Sequence, residues 1–556
     1  MLAGVAPAHG AAIVNLNGSW AFRFEEGKSI EQAFAKDFAA TDRMVVPGCF
    51  DCLPQWRMKK GTGLYRRSFS LAAPMRDAVL RIEGLGLCGA FRLDGRDLGS
   101  DELPWSTVEL AVGPLAAGTH VLEAAVDNRI DPHANRLFLG DYDFYSFGGF
   151  FHGVALAERE PKIFVRTRDY RTGEVEVEIE GGEKRRIKVP DFRLWSPEEP
   201  NLTTLDVDGR TVRFGIREIR AEKGRLYLNG KPLFLKGVNR HESHPEHGAA
   251  TTEDVMLRDL QLVKSLGCNF VRGAHYPQSQ RFLDLCDELG ILVWEESLGW
   301  GNHAGRRGDG TPFELSDPDF RRLQLEQTRL MVRNSFNHPS VVFFGFLNEC
   351  QSNHPDCKAL VDGLASAIRA FDSGRLVTFA VNRNPVAGSK TVDICSDACD
   401  VVSFNTYPAW IASDGPGDAA AMRREIADGP SGVNPLVAAY RKLYPDKPIL
   451  VSEMGTCGIY GQRDEAAAQW TEEFQSEYVA DVLDACLANR DLCGVTLWQF
   501  ADAKSYHRTG AVRCKPFAAN LAGLFDGQRR PKLAAEAVRR RFGGSSNQGH
   551  SAHSDP

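Results

Sequence analysis

Two glutamates end apolar runs, and that placement is the first sign of chemistry. Glu349 closes VVFFGFLNE (341–349), after Asn348, and Glu453 lies at the end of PILVSEM (448–454). A strand buried on both faces is easily built from such apolar residues, but an acid at its tip needs a use. Two opposed carboxyls can cleave a glycosidic bond, one protonating the leaving oxygen while the other attacks the anomeric carbon or activates water. A separation of about 5–5.5 Å makes that reaction retaining, and about 6.5–9.5 Å inverting. Either acid alone is as readily a rim ion pair. The aromatic residues Tyr407, Trp410 and Trp498, able to stack on a sugar ring, tip the balance towards glycoside chemistry.

Eight strand-like runs are available to position these groups. They are 233–239, 269–275, 291–297, 341–349, 376–381, 401–407, 448–454 and 494–500. Amphipathic segments alternate with them, including 252–267, 279–290 and 319–336, and Gly267 and Gly290 suit helix C-caps. This alternation over about 300 residues predicts a (β/α)8 TIM barrel, with a last helix at 530–542. Active sites in such barrels form at the C-terminal strand tips. Here those tips carry Asn239-Arg240-His241, His275-Tyr276, Glu295-Glu296, Asn348-Glu349, Asn405, Tyr407, Glu453 and Trp498.

The first part of the chain follows a different pattern. Residues 14–160 alternate or run apolar between Gly, Asp and Asn turns, with no convincing amphipathic helix, and predict a β-sandwich. Short strands continue over 161–218, enough for a second, small sandwich. The predicted fold is thus multidomain α+β: sandwiches at 14–160 and 161–218, a barrel at 219–544, and a disordered Gly/Ser/His tail at 545–556.

Composition removes several function classes. The 556 residues carry a net charge of −7 without a long basic run, which disfavours nucleic acid and anionic membranes as partners. No apolar stretch approaches a membrane span of about 20 residues. The first 20 residues lack a basic n-region and an apolar h-region, although a chain whose leader had been removed would begin the same way. The 13 scattered cysteines read as reduced core residues, which favours a cytoplasmic address. Cys49 and Cys52 form one CxxC with no second pair nearby to complete a zinc site.

Rival chemistries are weaker. HESHPEH (241–247) offers His241, His244 and His247, but their spacing is not HExxH and Pro245 interrupts any helix, so no metal is expected. No Gly-rich phosphate loop sits between a strand and a helix, so no organic cofactor is expected. A carbohydrate-binding protein on an inactive barrel would fit the loss of either glutamate, and both are present.

At these residues the sequence resembles glycoside hydrolase family two, the family of β-galactosidases, β-glucuronidases and β-mannosidases. GLYRRSF (63–69), DFYSFGGFFHGVAL (143–156) and LWSPEEPNL (194–202) are similar to its two sandwich domains. GVNRHE (237–242), NFVRGAHYPQSQRFLDLCDELGILVWEE (269–296), NHPSVVFFGFLNE (337–349), ILVSEMG (449–455) and LWQFAD (497–502) are similar to its barrel. The resemblance implies a retaining exo-β-glycosidase that forms homo-oligomers and removes a terminal β-linked sugar from a glycan or glycoconjugate. It makes Glu349 the acid/base and Glu453 the nucleophile. Asn348 would bond the sugar 2-hydroxyl, and Tyr407 could hydrogen-bond Glu453. Asp143, His275, Tyr407 and Trp498 align with sugar-contacting or pocket-lining positions, and Trp410 joins them as an aromatic candidate.

Within the family, SEMG and WQFAD resemble β-glucuronidases. Those enzymes read the sugar carboxylate with an Asn-x-Lys motif after strand eight. Here Asn520 is kept, but Ala522 stands where the lysine belongs. Either the substrate is a neutral sugar such as a β-galactoside, or another cation serves a β-uronide, with Arg513 and Lys515 as candidates.

Overall fold

The computed structural model describes residues 13–35, 38–131, 135–138, 142–306, 314–386, 388–408, 419–507 and 515–543. The tail expected to be disordered lies outside them.

Two antiparallel sheets, of five and six strands, form the N-terminal sandwich. Alternation turns Trp20 and Phe22 of Gly18–Glu26 inward, where Phe22 meets Tyr65 with ring centroids 4.8 Å apart. Among the described residues one short α-helix interrupts the strands, a single turn that the sequence pattern did not show. Ile30–Phe34 is held by a capping box in which Ser29 and Gln32 bond each other's backbone N–H, and five residues are too few to show a helical period. The sandwich leans on the barrel through Trp105, which stacks on Tyr276 with centroids 4.2 Å apart. That contact brings the loop from residue 142 to 148 to the barrel mouth.

The second sandwich pairs a three-stranded sheet, Ile163–Asp169, Glu174–Ile179 and Lys184–Lys188, with the hairpin Thr203–Val207 and Arg210–Phe214. Its core is Val165, Val175, Val177, Val212 and Phe214. Buried Arg217 then ties the chain to the barrel foot, donating to the carbonyls of Pro339, Val341 and Gly374 at 3.0, 2.6 and 3.2 Å.

The barrel sheet is parallel throughout. Its strands are Leu235–Arg240, Phe270–Gly273, Leu292–Glu296, Val341–Gly345, the pieces Leu376–Val377 and Ala380–Val381, then Val402–Asn405, Ile449–Met454 and Leu492–Leu497. The open ends of the hydrogen-bonded order are the two pieces of strand five, so the ring closes on itself. Below it, Ile219, Leu226 and Leu228 pack against Leu235, Phe270, Leu292 and Val342. That plug leaves the opposite, C-terminal face as the barrel's mouth. Helix ends follow the sequence signals. Gly290, one of the two expected C-caps, ends Gln280–Leu289 in the left-handed region at φ +71°, and Asp317, not singled out in the sequence, caps Pro318–Asn334. No described helix is long and apolar enough to cross a membrane.

Candidate active site

The site is built around a buried arginine. Arg272, on barrel strand two, is 0% exposed and must find acceptors inside the protein. Its Nε donates to Glu296 Oε2 at 2.9 Å, its Nη2 to Asn348 Oδ1 at 2.9 Å, and its Nη1 to Glu453 Oε1 at 2.5 Å. Tyr407 O–H donates to the other oxygen, Glu453 Oε2, at 2.5 Å. Both oxygens of Glu453 therefore act as acceptors of strong, charge-assisted or phenolic bonds. His275, 3.9 Å from Glu453 Oε1, is pushed down to about 3 by burial and by Arg272, so it stands there as a neutral ring.

Glu349 is treated differently. Its one side-chain hydrogen-bond donor among the described residues is Asn405 Nδ2, at 2.9 Å. Burial and the charge of Glu453 push its carboxyl up to about 7. The backbone that presents it is unusual. Strand four stops at Gly345, earlier than the apolar pattern suggests, and Leu347 and Glu349 adopt left-handed φ of 48° and 53°. Neighbouring strand tips hold this turn: Asn348 N–H donates to Gly299 O at 2.8 Å and Glu349 N–H to Ala380 O at 2.9 Å. The Asn348 side chain lies between the two acids, its oxygen accepting from Arg272 and from Asn405 Nδ2 at 3.1 Å. Its buried amide nitrogen has no partner among the described residues, which fits a donor kept for a ligand hydroxyl.

Rings line the wall between strands eight, one and two. Trp498 stacks on His275 with centroids 5.4 Å apart, and His241 stands edge-on to Trp498 at 5.3 Å. His241 leaves a buried Nε2 without a partner among the described residues, while His244 and His247 stack on each other, so the three histidines do not converge as ligands. Among the described residues the one group spaced to hold a metal is Asp284, Asp287 and His338, where Asp284 already pairs with Arg213 and His338 with Asp287.

Asp143 reaches this wall from the N-terminal sandwich. Its carboxylate pairs with Lys515, accepts from Ser505 Oγ at 2.8 Å, and accepts from Asn520 Nδ2 at 3.3 Å. Lys515 is 3% exposed, and burial pushes its amine down to about 7. Ala522 packs in one small cluster with Trp498, Ala274 and Tyr407. Of the residues singled out in the sequence, Asp143, His275, Asn348, Glu349, Tyr407, Glu453, Trp498, Lys515 and Asn520 thus come together. Trp410 and Arg513 lie outside the described residues.

A model of the glycosyl hydrolases family 2 TIM barrel domain matches residues 219–546. The chain belongs to glycoside hydrolase family two. It is 29% identical over 378 residues to a β-glucuronidase of Rattus norvegicus, a stretch covering 65% of this chain and 54% of that one. The chain thus spans about half the length of several curated relatives that it matches. A Felis catus β-glucuronidase is 26% identical over 621 residues, covering 95% of this chain and 90% of the relative. Among solved structures, a family-two β-galacturonidase from Eisenbergiella tayi bound to galacturonate superposes with a TM-score of 0.77 at 28% identity, over 99% of this chain and 100% of that one. A β-glucuronidase from an uncultured Clostridium shares the fold with a TM-score of 0.85 at 24% identity, over 98% of this chain and all of the other.

Family membership makes the residues that sequence reasoning passed over easier to see. Arg272 is the hub of the site, yet it appeared only as one letter of a matched stretch. Its signal was a charged residue inside an apolar barrel strand, which a fold can bury only with partners. Asn405 appeared only as a strand tip, and Ser452, donating to Asn405 Oδ1 at 2.7 Å to fix which way that amide points, only as one letter of SEMG.

Proposed function

We propose that this family-two protein is a retaining exo-β-glycosidase acting on β-uronides, with Glu453 as nucleophile and Glu349 as acid/base. The observation that carries this reading is the unequal surroundings of the two acids. Glu453 holds two strong donors, whereas Glu349 is buried beside a like charge and keeps its proton to about 7. In the first step Glu453 attacks the anomeric carbon as Glu349 protonates the leaving oxygen. In the second, Glu349 takes a proton from the water that releases the sugar. Asn348 Nδ2 bonds the 2-hydroxyl, and Trp498 and His275 form a wall for the ring. Lys515, beside Asp143 and Asn520, supplies a cation for the sugar carboxylate in place of the lysine missing at position 522. The names of the E. tayi and R. norvegicus relatives, a β-galacturonidase and a β-glucuronidase, support a uronide.

One observation favours a neutral sugar such as a β-galactoside: Asp143 already neutralises Lys515. A glycan or glycoconjugate is the partner either reading requires. Assembly of copies follows from the family resemblance, and the free described cysteines support a reducing, cytoplasmic address. The test is kcat/KM on 4-nitrophenyl β-glucuronide, β-galacturonide and β-galactoside, for wild type and Lys515→Met. A uronide should lead, and Lys515→Met should lower it by roughly 100-fold while sparing the galactoside. A leading galactoside would transfer the assignment to neutral sugars.

A further inference from the structure

Strand five brings a second cation to the mouth, across from Lys515. Glu349 N–H bonds Ala380 O at 2.9 Å, so the end of strand five lies against the backbone that carries the acid/base. Ala380 and Val381 pair with Ser403 and Phe404, which sets Arg383 two residues beyond the last pair, at the mouth end of strand five. The turn is pinned on both sides of Arg383. Its carbonyl accepts from Asp393 N–H at 2.8 Å, and the Asn384 side chain donates to Asn405 O and accepts from Tyr440 O–H, both at 2.9 Å.

Arg383 is half-buried and has no carboxylate partner among the described residues. Among the described residues, Arg272 is committed to Glu296 and Glu453, Lys515 to Asp143, and Lys532 to Asp502. Burial and Glu453 raise the carboxyl of Glu349, and the positive charge of Arg383 is among those that pull it back. An arginine at a half-buried position keeps contact with water and can take an anion that comes to it.

We propose that Arg383 forms a cationic leaving-group subsite, so that favoured substrates carry a carboxylate or a sulfate-like group on the aglycone side of the scissile bond. The proposal rests on the assignment of Glu349 as the acid that protonates the leaving oxygen. In the closed ring, strands four and five stand opposite strand eight, whose following loop carries Asn520 and Lys515. The sugar's own polar groups therefore face Lys515, and whatever departs past Glu349 meets Arg383. A guanidinium takes a carboxylate through two parallel N–H bonds and a sulfonate or sulfate through charge and fewer matched donors.

The test uses aryl β-uronides sharing one glycone, with 3-carboxyphenyl, 3-sulfophenyl or the neutral 3-carboxamidophenyl as leaving group. Wild type should favour the anionic aglycones, and Arg383→Gln should lower kcat/KM on them by about 10- to 100-fold while changing the neutral one by less than about threefold. Arg383→Lys should restore part of the preference. A gain with both anions identifies a site that reads charge, and a gain with carboxylate alone a bidentate carboxylate site. Equal losses on all three substrates, or no anionic preference in wild type, would overturn the subsite. Calorimetric affinities for the corresponding S-aryl thioglycosides need no turnover. An anionic preference that Arg383→Gln abolishes there keeps the subsite even if no O-glycoside is cleaved, an outcome that would sink only the hydrolase reading. Equal thioglycoside affinities would overturn the subsite alone.

Discussion

The two glutamates at the mouth are the same residue in two opposite settings. Glu453 is surrounded by donors: a buried guanidinium on one oxygen and a phenol on the other. Glu349 has one amide and faces the charge of its neighbour from a desolvated position. Identical side chains can thus hold different protons because one wall supplies donors and the other withholds them. Predictions that remove donors from the rich side, or the charge from the poor side, test whether this asymmetry makes the site work.

Removing either carboxylate should have the largest effect. Glu453→Gln keeps the shape and leaves Arg272 and Tyr407 a carbonyl oxygen to bond, but it cannot attack carbon. Its kcat/KM should fall roughly 10⁴-fold or more, about 5 kcal/mol of transition-state stabilisation. Glu349→Gln should lose as much on alkyl glycosides and far less on 4-nitrophenyl glycosides, whose leaving group needs little protonation. Equal losses on both substrate types would break the assignment of roles.

Arg272 comes next. Arg272→Met would leave Glu296 and Glu453 buried without their cation, at a cost of about 3–5 kcal/mol. Thermal unfolding should show a large drop in Tm, partly recovered when Glu296 is also changed to Gln. No recovery would mean that the arginine acts by packing on Trp294, whose ring centroid lies 4.4 Å from its guanidinium carbon.

Much of this architecture was legible in advance. Parallel strands buried on both faces read as apolar runs, and their tips read as sudden polar residues, so the barrel and its mouth could be drawn from the sequence. The end of strand four could not, because the left-handed turn at Leu347 and Glu349 is held by Gly299 and Ala380 from neighbouring tips rather than by local propensity. Arg272 and Glu453 are 181 residues apart, and Asp143 and Ser505 are 362 apart. No periodicity encodes such pairs. The helix at Ile30–Phe34 was hidden for the opposite reason, being too short to complete a pattern.

The third expectation concerns protons. Glu349 titrates near 7 in the native protein against an ordinary 4.5. In the acid role proposed for it Glu349 must be protonated, so kcat/KM should fall about tenfold per pH unit above about 7. Stability carries the matching sign. The native state binds a proton that the unfolded chain releases, so the contribution of Glu349 is fully present below 4.5 and lost as pH rises towards 7. Glu349→Gln, which cannot titrate, should therefore gain about 1–3 kcal/mol over wild type between pH 4.5 and pH 8. Unfolding curves at those two pH values check it. A constant difference would mean that Glu349 is not desolvated as described.

Tyr407→Phe should have the smallest effect and decides what that ring is for. If Tyr407 serves only as wall, phenylalanine fills the same space and kcat/KM changes by less than a factor of two or three. If its O–H on Glu453 Oε2 is part of the asymmetry, one charge-assisted hydrogen bond of about 1.5–3 kcal/mol is lost, roughly 10- to 100-fold in rate. The loss should appear in kcat more than in KM, because the phenol touches the attacking carboxylate and not a remote part of the sugar. A silent Tyr407→Phe would leave Arg272 as the one group that sets Glu453 apart from Glu349.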